Sequence, residues 1–406
     1  MTGGYKVKRY WKIFTLGLLT VFIIGFFYIQ SGLAAKKDIK VEFEKISGDE
    51  NEVENIYFYA NYEIGDIYQS LQISNKETVD RSQFSLLQSL NRDYSAPVYK
   101  KLVEKHKSFM RGKNNMPESF YEDENILAYV DLSNKSERKF SLDIDVLSKK
   151  TDERTSIQLE FPEKGKYNWV NVAEVQSINS KLKIFVRGFK PDGSTDILLY
   201  TFNIEKQEIE KSEVILSTGE IEKQWSDIRI INDSQSIEYE KYFLFNVETQ
   251  EVRYEGEPSM EKEGTTVFSN KLVAYDIENG QVKNIEIPEG KNSILDLSSI
   301  HGTTLYVPSQ MESKYEINQY DLEKEVWGEG VKFNIPASKE GYPSQPYVKI
   351  ENGKLYMISA TKDGYTLLIS DATTGKVFYE GLLKVKKDGK IQPNNRLYIH
   401  DMETVQ

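Results

Sequence analysis

His106, His301 and His400 are the only imidazoles in a chain of 406 residues. A histidine acid/base pair or metal site needs two or more such rings to converge. No two of these are neighbours in sequence, so they read as surface or edge residues. Cysteine is absent, which removes disulfides, thiolate metal sites, cysteine nucleophiles and a lipid-modified cysteine anchor. No His-x-x-x-His, Gly-x-Ser-x-Gly, phosphate loop or dinucleotide fingerprint occurs. The carboxylates remain, 63 in all. Asp143-Ile-Asp145 sets two on one strand face, and Glu122-Asp123-Glu124 is an acidic run. Two carboxyls flanking a sugar bond can hydrolyse it, although among so many acids such pairs arise by chance. Asp192-Gly-Ser-Thr-Asp196 has oxygen ligands of the calcium-loop kind but not the rest of that loop's pattern, and Pro191-Asp192-Gly193 is already accounted for as a hairpin turn. No catalytic residue, metal ligand or cofactor-binding residue is assigned.

Aromatic faces are the other chemistry on offer. Trp225, Trp327, Tyr342 and Tyr347 could stack on glycan rings, but in a strand-rich chain such rings more often pack in the core or across strands. Tyr342, Pro343, Pro346 and Tyr347 form the most loop-like aromatic cluster and are the expected exposed contact loop. Trp169 and Trp225 are expected to wedge between sheets.

The elements that would position these residues are mostly strands. Ile56–Ile73 holds two (IYFYA and IYQSLQI) around a turn at Gly65-Asp66. From Asn125 onward short apolar runs recur, among them ILAYVDL (126–132), LKIFVRGF (182–189), DILLYTFNI (196–204), EKYFLFNV (240–247), KLVAYDI (271–277), TLYVPS (304–309), KLYMIS (354–359) and YTLLISD (365–371). Turn dipeptides separate them: Asn279-Gly280, Asp363-Gly364, Thr374-Gly375 and Asp388-Gly389. Residues 81–112 change period. Phe84, Leu87 and Leu90 recur at helical spacing. Ser95 and Pro97 then open a second helix, whose apolar stripe is Val98, Leu102, Val103, Phe109 and Met110, with Gly112 as its stop. This insertion is expected either to cover a sheet edge or to serve as a docking arm.

One hairpin recurs. A strand ends in Asp or Asn, a polar turn follows, and a β-branched residue restarts the chain: Asn203-IEKQE-Ile209, Asn246-VETQE-Val252, Asp276-IENGQ-Val282, Asp321-LEKE-Val326 and Asp371-ATTGK-Val377, with a looser copy at Asp145. The copies lie 43, 30, 45 and 50 residues apart. All but the 30-residue gap match the repeat of a four-stranded propeller blade, about 40–50 residues. The stretches LYVPSQMESKYEINQYDLEKEVWGEGV and LYMISATKDGYTLLISDATTGKVFYEG resemble blades of WD40/YVTN-like β-propellers. The likeness spans residues 125–400. It lacks the Trp-Asp and Gly-His blade markers and the metal- and cofactor-binding residues of quinoprotein propellers, so no cofactor is carried over. The resemblance implies a mainly β fold, a propeller of about six to seven four-stranded blades with a small helical insertion, a central channel, and binding through loops on one face. A pair of β-sandwiches is the alternative fold.

Ile13–Ile29 is an uncharged apolar run flanked by Trp11 and Lys12. At about 1.5 Å per residue a span takes about 20 apolar residues, so the run, extended by the uncharged residues up to Ala35, predicts one N-terminal transmembrane helix. Residues 1–12 are then a short cytoplasmic tail, 13–35 the anchor, 36–55 a stalk, and 56–403 an extracytoplasmic domain. The competing reading is a signal peptide cleaved near Ala34, which would release the chain. Lysines and arginines border both ends, and large domains translocate largely regardless of charge. The first forty residues carry seven basic and one acidic side chain against −11 for the whole chain, which leaves −17 on residues 41–406. That excess argues against nucleic acid and anionic wall polymer as ligands. The expected function is a non-catalytic interaction module of the cell envelope with a membrane or envelope protein partner. The alternatives are a glycan-acting hydrolase or lyase and a small-ligand sensor.

Overall fold

The computed structural model describes residues 5–34, 39–64, 67–81, 97–136, 138–218, 224–231, 236–253, 265–288, 293–336, 345–361, 364–387, 390–391 and 396–404. These form six antiparallel sheets, laid down in chain order and mostly four strands wide. The first is β2 (Ile56–Ile64), β3 (Ile67–Ile73) and β4 (Thr78–Asp80), with the last strand of the chain, β27 (Leu397–Thr404), added beside β2. The second is β5 (Phe120–Glu122), β6 (Ile126–Ser136), β7 (Lys139–Ser148) and β8 (Arg154–Glu160). The third is β9 (Trp169–Ile178), β10 (Lys181–Phe189), β11 (Thr195–Asn203) and β12 (Glu208–Ser217), and the fourth β13 (Gln224–Ile230), β14 (Tyr242–Arg253), β15 (Thr265–Asp276) and β16 (Gln281–Ile285). The fifth is β17 (Ser299–His301), β18 (Thr304–Met311), β19 (Lys314–Asp321) and β20 (Val326–Trp327), with β21 (Val331–Asn334) also on β19. The sixth is β22 (Tyr347–Glu351), β23 (Lys354–Thr361), β24 (Gly364–Asp371) and β25 (Val377–Lys387), on which β1 (Ile39–Gly48) and β26 (Lys390–Ile391) both pair. The architecture is mainly β and compatible with a propeller-like fold.

Hydrophobicity falls from the inner strands outward, as the packing requires. In the third sheet every residue of β11 from Thr195 to Phe202 is buried, while β12 at the edge is mostly exposed. In the second sheet, edge strand β8 alternates exposed and half-buried residues without a break, the mark of a strand with one wet face. Apolar clusters join the second sheet to the third, the third to the fourth, and so on to the sixth, which shares its cluster with the first. Between the third and fourth, Phe185 and Phe243 lie 4.5 Å apart between ring centroids, with Tyr275 edge-on to Phe185. Among the described residues no such cluster joins the first sheet to the second. The outer face of the second sheet (Phe120, Leu127, Tyr129, Leu147) is covered instead by α2 (Pro97–Lys105) and the turns after it, through Tyr99, Leu102, Phe109 and Met110. The insertion is therefore a packed cover. Its helix begins at Pro97 as expected but ends at Lys105, and turns carry the chain on to Gly112. Phe84, Leu87 and Leu90 lie outside the described residues.

Four of the predicted hairpins are present, and each joins the third and fourth strand of its sheet. The side-chain Oδ1 of Asp276 accepts from Glu278 N and Asn279 N, that of Asp321 from Glu323 N and Lys324 N, and that of Asp371 from Thr373 N and Thr374 N, all at 2.7–3.0 Å. Asn203 Oδ1 accepts from Lys206 N at 2.9 Å. The turn closes on a residue of positive φ: Gln207, Gly280, Glu325 and Gly375. Each donates its N–H to the carbonyl of the Asx residue. The second sheet makes the same turn from Ser148, with Asp152 at the positive-φ place; Asp145 lies inside β7. The copy at Asn246 is not a turn. Residues 242–253 run straight through it as β14, paired with β15 from Tyr242↔Asp276 to Arg253↔Thr265. Without that copy the 43- and 30-residue spacings merge into one of 73 residues between Asn203 and Asp276, because the fourth sheet carries the longest strands, β14 and β15, at 12 residues each.

The expected stalk at 36–55 is also different. Ile39–Gly48 is β1, antiparallel to β25, with Ile39 and Val41 buried in the cluster of the first and sixth sheets and Phe43 packed on it. Lys384 and Lys386 of β25 pair with Glu44 and Glu42 across the strands. Gly48 ends β1 at φ +88°, where a Cβ would run into the Phe378 carbonyl oxygen. Only glycine lets the two backbones come this close. N-terminal to it, Tyr5–Ala34 is one helix, α1. Its described side chains, residues 11–12 and 14–26, are almost all exposed. Among the described residues no helix is long and apolar enough to cross a membrane.

Candidate functional site

In a four-stranded meander the first-to-second and third-to-fourth turns share one end. Here they are bonded to each other: Lys149 N to Asn125 O, Ile277 N to Lys241 O, Leu322 N to Thr303 O, and Ala372 N to Gly353 O, at 2.8–3.0 Å. At this end the sheets surround a cavity of about 1300 Å³. Its walls come from α2 (Lys101, Lys105), the second sheet (Glu122, Asp123, Glu124, Lys149), residues 236–242 leading into β14, the fifth sheet (299–303), the sixth (Glu351, Asn352) and the first (Glu403, Thr404).

Many charged side chains line the cavity, and much of that charge is paired. Glu122 accepts from Lys105 Nζ at 2.8 Å, from Lys149, and is 3.3 Å from His106 Nε2. Burial works to raise its pKa, but the bonds from Lys105, Lys149 and His106 outweigh that and hold it down at about 2. Asp123 is spent on a turn, its Oδ1 accepting from Asn125 N and Ile126 N at 2.7 Å. Glu403 is buried, accepts from Tyr59 OH at 2.7 Å, and is pushed up chiefly by burial. Thr404 Oγ1 donates to Glu351, which also pairs with Lys349 at 3.1 Å. On the wall formed by 236–242, Tyr239 OH donates to Glu278 at 2.7 Å and Lys241 pairs with Glu323 at 2.9 Å. Among the described residues no group of three or more Asp, Glu or His side chains is placed to hold a metal ion.

No family model matches this chain, and no curated protein matches it. Among solved structures it is similar to the apocarotenoid oxygenase of Synechocystis, with a TM-score of 0.39 and 10% identity over 91% of this chain and 96% of that one. It is similar to prolyl oligopeptidase B of Galerina marginata (0.36, 10% identity, 90% and 51% of the two chains). A post-proline cleaving enzyme of Rickettsia typhi scores 0.37 at 11% identity over 82% and 53%. Likeness this slight carries no argument about activity.

The residues singled out in the sequence fall largely elsewhere. Asp143 accepts from Ser133 Oγ at 2.8 Å and Gln158 Nε2 at 2.5 Å, and Asp145 from Lys113, Arg154 Nη2 at 2.8 Å and Ser156 Oγ at 2.5 Å. Both are held inside the second sheet, away from the cavity. Asp192 Oδ1 closes its own turn onto Ser194 N at 2.8 Å. Asp196 is filled by Lys190, Lys166, Tyr167 and Ser217, so the 192–196 stretch is a braced hairpin. Of the expected contact loop, Tyr342 and Pro343 lie outside the described residues. Pro346 and Tyr347 are half-buried, and Tyr347 packs on the core between the first and sixth sheets. They lead into β22 at the end opposite the cavity. Trp169, expected between sheets, is exposed. The Trp225 side chain lies outside the described residues. Trp327 is half-buried against Tyr320, its Nε1 donating to Glu286 O at 3.0 Å. His301 lines the cavity, His106 sits behind Glu122, and His400 is exposed. The cavity itself carried no local signature, since its walls come from segments up to about three hundred residues apart.

Proposed function

We propose that this chain is a six-bladed β-propeller held in the cell membrane by α1, with its body outside the cell, and that the cavity-bearing face docks a protein of the membrane or envelope. Six consecutive antiparallel sheets, with a shared core at every junction from the second sheet round to the first and with β27 completing the first, support the propeller. The uncharged sequence run Ile13–Ile29, which extends beyond the described side chains at 14–26, supports the anchor. The observation that carries the docking reading is the cavity's construction. Turns from four sheets and a helix build one broad mouth in which apolar surface lies among charged side chains, and Glu122 is tied up by Lys105 and Lys149 rather than presented to a substrate. Cross-linking in intact membranes followed by affinity capture tests it. A stoichiometric protein partner, lost when Lys101 and Glu124 on the cavity wall are both reversed in charge, supports the reading; capture of the chain alone refutes it. An N-terminal sequence beginning after Ala34 would replace the anchor with a cleaved signal.

A glycan-acting enzyme is a second reading. It draws on two cavity carboxyls with opposed environments, Glu403 pushed up by burial and Glu122 pulled down by its lysines. It requires turnover of wall or extracellular glycan that disappears in Glu403→Gln.

A further inference from the structure

Residues 236–241 lead into β14 of the fourth sheet and bond to two other sheets. Ile237 O accepts from Glu122 N, at the tip of β5 in the second sheet, at 2.7 Å. The Ile237 side chain is buried in the cluster under α2. Gln176, on β9 of the third sheet, grips the same segment twice: its Nε2 donates to Glu238 O at 3.1 Å and its Oε1 accepts from Glu240 N at 3.0 Å. Ile277 N donates to Lys241 O at 3.0 Å and ties the segment to its own sheet. One short strap thus spans three sheets and forms a wall of the cavity.

Glu174 sits two residues before Gln176 and is only 5% exposed. Its Oε1 accepts from Gln176 Nε2 at 3.2 Å, the same group that holds Glu238 O. Among the described residues, the charges that act on it are those of Glu240 on the strap and Glu118 in the turn before β5, both acids. β9 is bulged here: Val172 pairs with Val186 and Glu174 with Phe185, leaving Ala173 as the extra residue. Bulges of this kind re-aim the neighbouring side chain.

We propose that Glu174 is a proton-operated latch for the strap: its neutral carboxyl lets residues 236–241 lie across to the second sheet, and loss of the proton to solvent releases them and opens the cavity wall. The reason is competition for one amide. A neutral carboxyl is a weak acceptor and leaves Gln176 Nε2 shared with Glu238 O. A carboxylate accepts more strongly and draws that N–H away, while its charge repels Glu240 at close range in a poorly solvated site. Burial first, and the Glu240 charge next, hold the Glu174 pKa well above the usual carboxylate range, so release falls at higher pH than for an ordinary glutamate.

Hydrogen exchange of the whole chain, corrected for the intrinsic pH dependence, reads the latch at the Glu240 and Glu122 amides. In the native chain the protection of both is expected to be constant below the ordinary carboxylate range, to fall by up to tenfold per pH unit between that range and the raised Glu174 midpoint, and to level off above it. In Glu174→Gln it stays constant throughout, and in Gln176→Ala it is lost at every pH. Glu118→Gln removes one facing acid without touching the strap and moves the native midpoint to lower pH. Protection that does not change between pH 5 and 9, a fall that persists in Glu174→Gln, or a midpoint unmoved by Glu118→Gln each overturns the proposal.

Discussion

Lys113→Ala should loosen the helical insertion from the second sheet. Lys113 is 4% exposed. Its ammonium pairs with Asp145 and lies 4.2 Å from the Phe109 ring centroid and 4.4 Å from that of Tyr129. Removing one partner of a buried pair costs about 3–5 kcal/mol. Asp145 is not stranded by the change, because Arg154 at 2.8 Å and Ser156 remain, which brings the expected loss to about 2–3 kcal/mol. For a body of this size, with an unfolding entropy of about 2 cal/mol/K per residue, that is about 3–4 °C in melting temperature. Lys113→Met keeps the packing of the stem and should cost about 1 kcal/mol. Urea unfolding of the native chain, Lys113→Ala, Asp145→Asn and the double variant gives the coupling, expected near 1–2 kcal/mol. The pH dependence has a definite sign. Burial lowers the Lys113 pKa in spite of Asp145, so just below pH 10.5 the unfolded chain holds the proton more tightly. The contribution of Lys113 to stability therefore rises with pH through that window, and Lys113→Met removes the rise. A coupling under about 0.5 kcal/mol would refute the reasoning, because the pair would then be incidental to how the insertion is held.

Two further perturbations test the packing and the turns. Phe185→Ala empties the centre of the core between the third and fourth sheets, where the ring is fully buried, and should cost about 3–5 kcal/mol in chemical denaturation. Asp371→Ala removes the acceptor of Thr373 N, Thr374 N and Thr374 Oγ1 and should cost about 1–2 kcal/mol at pH 7. Burial opposes ionisation of Asp371, but the Thr374 and Thr373 bonds prevail and lower its pKa. Its contribution is therefore complete above about pH 4 and lost as pH falls through the folded value. The gap between variant and native melting temperatures should close on acidification.

What could be read in the sequence was what is decided locally. The turns at Asn203, Asp276, Asp321 and Asp371 depend on a side-chain oxygen bonding N–H groups two and three residues ahead, and those letters sit side by side. The same letters at Asn246 misled because a distant contact decides there: Asn246 is fully buried and its Nδ2 donates to Asp296 at 2.7 Å. β1 did leave a trace. Ile39, Val41 and Phe43 alternate with Lys40, Glu42 and Glu44, the period of an edge strand, but the density of charge suggested a stalk. Those charges serve the pairing with β25. The strap, Glu174 and the cavity could not be read locally, because each exists only where separate sheets meet. Gln176 is sixty-four residues from Glu240, and nothing in either neighbourhood points to the other.

The pairing of β2 with β27 sets the order in which the molecule can be made. Ile56 lies opposite Thr404, so the first sheet must wait, with one flank open, until Leu397–Thr404 has been synthesised. Contacts of such sequence separation form slowly, and an unpaired strand edge invites association with other chains in the meantime. A chain that lacks Leu397–Thr404 loses a strand of the founding sheet rather than of the latest one, and such fragments would aggregate instead of folding with one sheet fewer.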